Sequence, residues 1–494
     1  MSQPTPDAPA PHSPASSASP AANGAHGALP AHSVPSRPAS RDRPGMLTLG
    51  ELQRLVAHGD IDTVELAITD MQGRLQGKRL SAEYFLDAVA EHETEACSYL
   101  LAVDVDMNTV DGYDLSSWET GYGDFALRPD LATMRRVPWQ PGTAAVLADV
   151  TSEAGDPVAA SPRQLLRRQL DRLAGLGLTA FAGTELEFMV FKDTYEQAWD
   201  KGYRGLTPAN QYNVDYSILG TARVEPLLRA IRTGMAGAGM YVESAKGECN
   251  LGQHEIAFRF AEAMTTCDNH ALYKTGAKTI AAQHGCALTF MAKYDQREGN
   301  SCHVHLSVRS AGDGAAVMSG DREHGFSPLM EHFLAGLQAG VRELTLLFAP
   351  NINSYKRYAL GSFAPTAVAW GRDNRTCALR VVGHGESLRV ENRVPGGDVN
   401  PYLAVAGMIA AGLDGIDREL PLEPEFVGDA YKAQLTRVPG SLREAAQLFG
   451  ESQLARQAFG DQVVTHYLNA ARVELESFDA AVTDWERIRG FERM

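Results

Sequence analysis

The chain has 494 residues, 44% of them hydrophobic and 21% charged, an ordinary balance for a protein with more than one core. Its 61 acidic residues outnumber 45 Lys and Arg, giving a formal charge of −16, and that field disfavours nucleic acid and anionic membranes while favouring small cations. Apolar runs break well short of the ~20 residues a membrane span needs, no secretory leader is present, and the six cysteines lack paired spacing, which together predict a cytoplasmic protein.

Residues 1–44 are dominated by Pro, Ala and Ser and predict a disordered tail, with His12, His26 and His32 too far apart for a metal tract. Thr48 and Glu51 fit a capping box ahead of a short helix ending near Gly59. Thr63–Met71 alternates as a strand, and Asp70–Gly73 turns into a second strand running through Lys78. Ser81 then opens a helix to about Ala90, Tyr99–Met107 reads as an apolar strand, and a loop rich in Asp, Gly and Trp follows. Strands dominate to about Val150, so residues 45–152 form a small β-rich domain and residues 153–494 a larger α+β domain. Ser161-Pro162 starts a helix that Gly175 and Gly177 end. Residues 429–494 read as almost wholly helical, with caps at Ser441 and Ser452.

Charge recurs in this second domain at a spacing of two. Residues two apart on a strand share a face, so Glu185 and Glu187 in Gly-Thr-Glu-Leu-Glu-Phe project together. Like charges placed that way are unfavourable without a cation between them. Glu248 and Glu255 flank a Gly turn, His303 and His305 point one way, and Arg389, Glu391 and Arg393 alternate. Taken together, Glu185, Glu187, Glu248, Glu255, Glu391 and His303 are hard ligands suited to Mg²⁺ or Mn²⁺.

These segments, in this order, resemble the glutamine synthetase family over residues 47–494. The resemblance rests on residues 183–188, Gly-Gln-His-Glu at 252–255, Asn353-Ser-Tyr-Lys-Arg357, Asn374-Arg375 to Arg380, and Arg389–Arg393 followed by Asn400-Pro-Tyr402. It implies a β-grasp N-terminal domain beside a catalytic domain with a curved antiparallel sheet. It also implies a dodecamer of two hexameric rings with active sites between subunits. The implied cofactors are ATP and two or three Mg²⁺ or Mn²⁺ per site, one ion on Glu187, Glu248 and Glu255 and another on Glu185, His303 and Glu391. On the same resemblance Arg357, Arg375, Arg380, Arg389 and Arg393 stabilise phosphoryl transfer, His305 touches nucleotide phosphate, Phe260 and Ser307 flank the adenosine, and Gly299 lies in the glutamate loop.

The chain departs from the ammonia-using pattern in three places. Phe363 stands where those members carry a flap Glu, Glu298 precedes Gly299 where they usually carry Asn, and the loop bearing the adenylylated Tyr is missing after Asp417. Asp111 is the first choice for the amine-deprotonating acid, with Asp104 and Asp106 as rivals. These features imply ligation of glutamate to a small organic amine, ethanolamine favoured. A polyamine, or ammonium in an ordinary glutamine synthetase, is the alternative.

Overall fold

The computed structural model describes residues 43–494, so the tail predicted over 1–44 lies almost wholly outside the described residues. The first sheet is built from β1 (Thr63–Thr69), β2 (Leu75–Ser81), β3 (Thr94–Cys97), β4 (Asp124–Pro129), β5 (Arg135–Arg136) and β6 (Thr143–Thr151). Its order is β2-β1-β6-β4-β3, with β5 also on β6. The β1–β6 pair is parallel and the others are antiparallel. Leu66, Val146, Leu127 and Phe85 form its own core. The capping box holds: Thr48 accepts from the Glu51 amide and Glu51 accepts from the Thr48 amide, at the head of a helix over Leu49–Ala57.

Two local expectations for this region change. Tyr99–Met107 is not a strand; a 3-10 turn spans Ser98–Leu101, and the chain then reverses where Asp104 accepts from the amide and side chain of Asn108. The apolar run fits burial, but local carboxylate-to-amide bonds compete with a strand ladder. The helix after Ser81 is one short turn, Ala82–Tyr84, continued by a π-turn over Phe85–Val89.

The second sheet comprises β7 (Leu178–Phe191), β8 (Val242–Gly247), β9 (Gln253–Phe258), β10 (Ala261–Glu262), β11 (Ala287–Thr289), β12 (Cys302–Ser310), β13 (Ala367–Arg372), β14 (Cys377–Val382) and β15 (Arg389–Asn392). Its order is β13-β14-β15-β12-β7-β9-β8, with β10 and β11 also on β7, and all but the β13–β14 pair is antiparallel. Leu186, Phe188 and Val304 on one face belong to the main core, along with residues of the helices Ala263–Gln283 and Pro401–Asp417. Period-two alternation therefore sends the intervening charged residues to the other face.

Pro162 starts the helix Pro162–Gly175 as expected, though Ser161 makes no side-chain cap bond. Arg163 on this helix is buried and reaches Asp130 at 2.6 Å, Asp149 at 2.6 Å and Asp268 at 3.1 Å, while Tyr402 donates to Asp268 at 2.7 Å. That network ties the first sheet to three helices of the second core. At the C-terminus helices cover Leu442–Gly490 with short breaks, and Ser441 and Ser452 cap as predicted. Residues 429–441 are irregular rather than helical. No helix among the described residues is long and apolar enough to cross a membrane.

Candidate active site

The β7 strand supplies the centre, and register brings its partners. Glu187 pairs across the ladder with Glu255, and Glu255 with Lys246 on β8. On the other side Glu185 faces His303, while His305 faces Glu391 and Glu391 faces Arg380. Glu248 leaves β8 into a turn whose amide bonds to the Gln253 carbonyl, and Gly252 takes φ +72° at a point where a Cβ would meet the Val190 carbonyl at 2.5 Å. A left-handed, closely approached position of this kind admits only Gly at low cost.

Among the described residues three groups of ligand atoms lie within 4.8 Å of one another, and two of them are drawn from this ladder: Glu187, Glu248 and Glu255, and Glu185, His303 and Glu391; the third, Asp215, Glu248 and Cys249, shares Glu248. The first group is buried. Burial raises Glu255 well above the carboxylate range, and burial together with the Glu187 charge raises Glu248 to about 7 against the pull of Lys246. Lys246 pairs with Glu248 and lies 3.8 Å from Glu255, a single ammonium shared by two of the three carboxylates. Three buried carboxylates with so little compensation fit a divalent cation held by oxygen ligands.

The second group is poised differently. Burial disfavours the Glu185 charge, but hydrogen bonds from His303 and His305 outweigh it and hold the carboxyl well below its usual range. His303 Nδ1 is 3.3 Å from Glu185 and 3.4 Å from Glu391, and His305 Nε2 donates to Glu185 at 2.9 Å. Arg389 Nε donates to His305 Nδ1 at 3.3 Å, which fixes that imidazole with its proton on Nε2. Glu391 is fully buried, accepts from Arg380 at 2.8 Å and also pairs with Arg393. Carboxylates with one imidazole again match a hard divalent ion.

Arg357 is 2% exposed, and its Nη2 donates to the carbonyls of Arg393, Val394 and Pro395 at 3.1, 2.6 and 2.6 Å. Its Nε and Nη1 have no protein partner, so a buried cation presents unsatisfied donors that an anion would complete. Gly299 packs against this side chain: a Cβ there would meet the Ala292 carbonyl at 2.2 Å and Arg357 Cγ at 2.9 Å. Ser307 sits opposite Phe181, whose ring packs edge-on to Phe260, so the residues expected around adenosine come together.

Phe363 is 59% exposed with φ +56° and lines an open cavity of about 450 Å³ with Arg372, Asn374 and Arg375. The structure does not bring Asp104 or Asp111 into these ligand groups. Asp104 caps its own turn and lines another cavity, and the Asp111 carbonyl accepts from Asn469 and Arg472. Sequence reasoning missed Lys246, which ends up beside Glu255 across the β8–β9 ladder and pairs with Glu248 in the turn that follows β8. It also missed Ser301, whose hydroxyl and amide donate to Glu187 at 2.6 and 2.8 Å, and gave no role to Gln253, which donates to the same carboxylate at 3.1 Å.

An α+β domain with two carboxylate centres, one of them flanked by Arg380, Arg389 and Arg393, defines the class of enzyme. Residues 159–489 match the model "Glutamine synthetase, catalytic domain", and the chain belongs to the glutamine synthetase family, whose ligases use ATP and divalent metal ions. The chain is 68% identical to the gamma-glutamylethanolamide synthetase GlnA4 of Streptomyces coelicolor, covering 92% of this chain and 97% of that protein. It is 37% identical to a glutamate–isopropylamine ligase of a Pseudomonas species, covering 87% and 95% respectively. A solved GmaS/ADP complex is similar with a TM-score of 0.78 at 28% identity, covering 89% of this chain and 99% of that one.

Proposed function

We propose that this chain is an ATP-dependent ligase that joins the γ-carboxylate of glutamate to a small organic amine, ethanolamine favoured, by way of γ-glutamyl phosphate. Glu187, Glu248 and Glu255 would hold one divalent cation and Glu185, His303 and Glu391 another, two or three ions per site in all. Bound there, the ions supply neutralisation of phosphate charge. Arg357 offers its free donors to an anionic group, while Arg375, Arg380, Arg389 and Arg393 stabilise charge that develops on the transferred phosphoryl group. Phe260 and Ser307 bind the adenosine end and His305 the phosphates. Gly299 gives glutamate access.

The observation that carries the choice of acceptor is Phe363, exposed at the mouth of a cavity instead of buried in the core. An aromatic ring neither attracts nor deprotonates ammonium as a carboxylate does, but it packs on an alkyl carbon and takes a cation on its face. The names of the 68% and 37% identical relatives, which act on ethanolamine and isopropylamine, support the same reading. Proton removal from the amine falls to Asp111 ahead of Asp104, whose carboxylate is committed to Asn108. The active form is a cytoplasmic dodecamer with sites completed between subunits, and the six free cysteines fit a reducing compartment. The test is product analysis with glutamate, ATP and either ammonium, ethanolamine, isopropylamine or putrescine. Glutamine forming faster than every γ-glutamylamide would overturn the proposal.

A further inference from the structure

The helix Ala263–Gln283 packs on the core face of β7, and a cavity of about 20 Å³ lies between them, with Thr184, Phe258, Thr266, His270 and Tyr273 on its wall. His270 and Tyr273 stand three residues apart, so they share the helix face turned to this space. They are 3% and 2% exposed, yet His270 Nε2 and the Tyr273 hydroxyl make no hydrogen bond to another protein group. Neither side chain is free to turn away. His270 Nδ1 lies 3.1 Å from the Thr184 hydroxyl, which fixes the imidazole, and the Tyr273 ring packs edge-on to Phe258 and Phe290 with centroids 4.8 and 6.0 Å away. Thr266 offers no alternative partner, because its hydroxyl donates to the Ala182 carbonyl at 2.8 Å. Buried polar groups are almost always paired, and two that face one space call for a shared partner.

Size and charge identify that partner. A single water needs about 10–15 Å³ of such space, so the cavity takes one molecule and not two. Burial, with the charge of Lys274, holds His270 well below its ordinary pKa, and burial, with the charge of Glu255, holds Tyr273 well above its own. Both groups are therefore neutral, and the molecule between them must be able to donate and to accept. Arg259 is the charged residue on the wall, and its guanidinium is stacked over the Tyr241 ring at 5.3 Å.

We propose that this cavity holds one ordered water that bridges His270 Nε2 and the Tyr273 hydroxyl, closing a hydrogen-bonded chain from Tyr273 through His270 to Thr184. That chain fastens the helix to β7 at the residue preceding Glu185. The inference rests on no reading of the reaction.

A crystal structure of the full chain, at a resolution that shows ordered solvent, should have a peak within about 2.7–3.2 Å of both His270 Nε2 and the Tyr273 hydroxyl. Crystals soaked in sodium bromide should show no anomalous peak there, since an anion beside Arg259 is the competing occupant. Tyr273→Phe keeps the ring and removes the hydroxyl, and the sign of its effect separates the alternatives. If water pairs the hydroxyl, the variant should lose about fivefold in its folding equilibrium constant, read by denaturant titration at equal protein concentration. If the hydroxyl has no partner, the same change relieves a buried unpaired group and the variant becomes more stable. No solvent peak, a bromide peak, or a Tyr273→Phe variant at least as stable as wild type overturns the inference.

Discussion

Replacing Phe363 with Glu puts a carboxylate at the position proposed to meet the acceptor, without changing the backbone demand. The position has φ +56°, and both side chains carry a Cβ, so the left-handed strain is common to both. The main-chain bond from Arg393 to the Phe363 carbonyl at 3.3 Å also survives. The ring is 59% exposed, which places its cation–π contribution to an alkylammonium at the low end, about 0.5 kcal/mol. A carboxylate about 4 Å from ammonium in a water-like setting gains about 1 kcal/mol, and Arg372 and Arg375 in the same cavity offset part of it. With that offset the two effects sum to about 1 kcal/mol, a shift of about fivefold in kcat/KM for ammonium relative to ethanolamine. Competition assays with both acceptors present, read by mass spectrometry of glutamine against γ-glutamylethanolamide, measure that ratio directly. An unchanged ratio in a folded variant, or one that moves further toward ethanolamine, refutes the assignment of Phe363 to the acceptor site.

Glu185→Ala, Glu248→Ala and His303→Ala should each reduce ligase turnover below about 1% while leaving the circular dichroism spectrum intact; full turnover at saturating Mg²⁺ removes that residue from the ligand set. His466 is buried beside Met71, and burial lowers its pKa to about 4 from 6.5, so the unfolded chain binds the extra proton between those values. Its stabilising contribution is therefore present above pH 6.5 and lost as pH falls. Between pH 7 and pH 5 wild type should lose about 2 kcal/mol more than His466→Gln in denaturant titrations, and parallel losses would exclude a neutral buried imidazole. Arg163→Met removes the cation shared by Asp130, Asp149 and Asp268, leaving Asp149 only Arg167 at 3.0 Å and Asp268 only the Tyr402 hydroxyl, and should cost about 3–5 kcal/mol in unfolding free energy; a change under about 1 kcal/mol would show the network to be dispensable. Incubation with an adenylyltransferase and labelled ATP should leave the protein unlabelled, since Tyr431, beyond the end of the helix Pro401–Asp417, has its hydroxyl on the Ala364 carbonyl at 2.8 Å.

The chemistry of the site was legible because it obeys a simple period. Alternation along Glu185-Leu-Glu187 and His303-Val-His305 is a property of any extended chain, so face and charge follow from spacing alone. What spacing does not contain is register. That Glu187 meets Glu255 while Glu185 meets His303 depends on which strands neighbour β7, and those neighbours come from as far away as Ser310. Lys246 and Ser301 escaped notice for that reason, since each gains meaning only from the carboxylate it lies beside. The capping box at Thr48 was readable because it closes within three residues. Tyr99–Met107 was misread because Asp104 and Asn108 bond locally, and an apolar pattern does not distinguish a buried turn from a buried strand.

The anchoring of Arg357 bears on the timing of order in the catalytic cycle. A long, flexible side chain normally surrenders about 2 kcal/mol of rotamer freedom when it grips a ligand. In this protein one guanidinium nitrogen spans three consecutive carbonyls, so that freedom is already gone in the resting enzyme. Whatever anion meets the remaining donors encounters a rigid fork and loses only its own motion. Affinity at this point is thus set during folding, and a substitution that loosens the Arg393–Pro395 backbone should weaken substrate binding without touching a substrate atom.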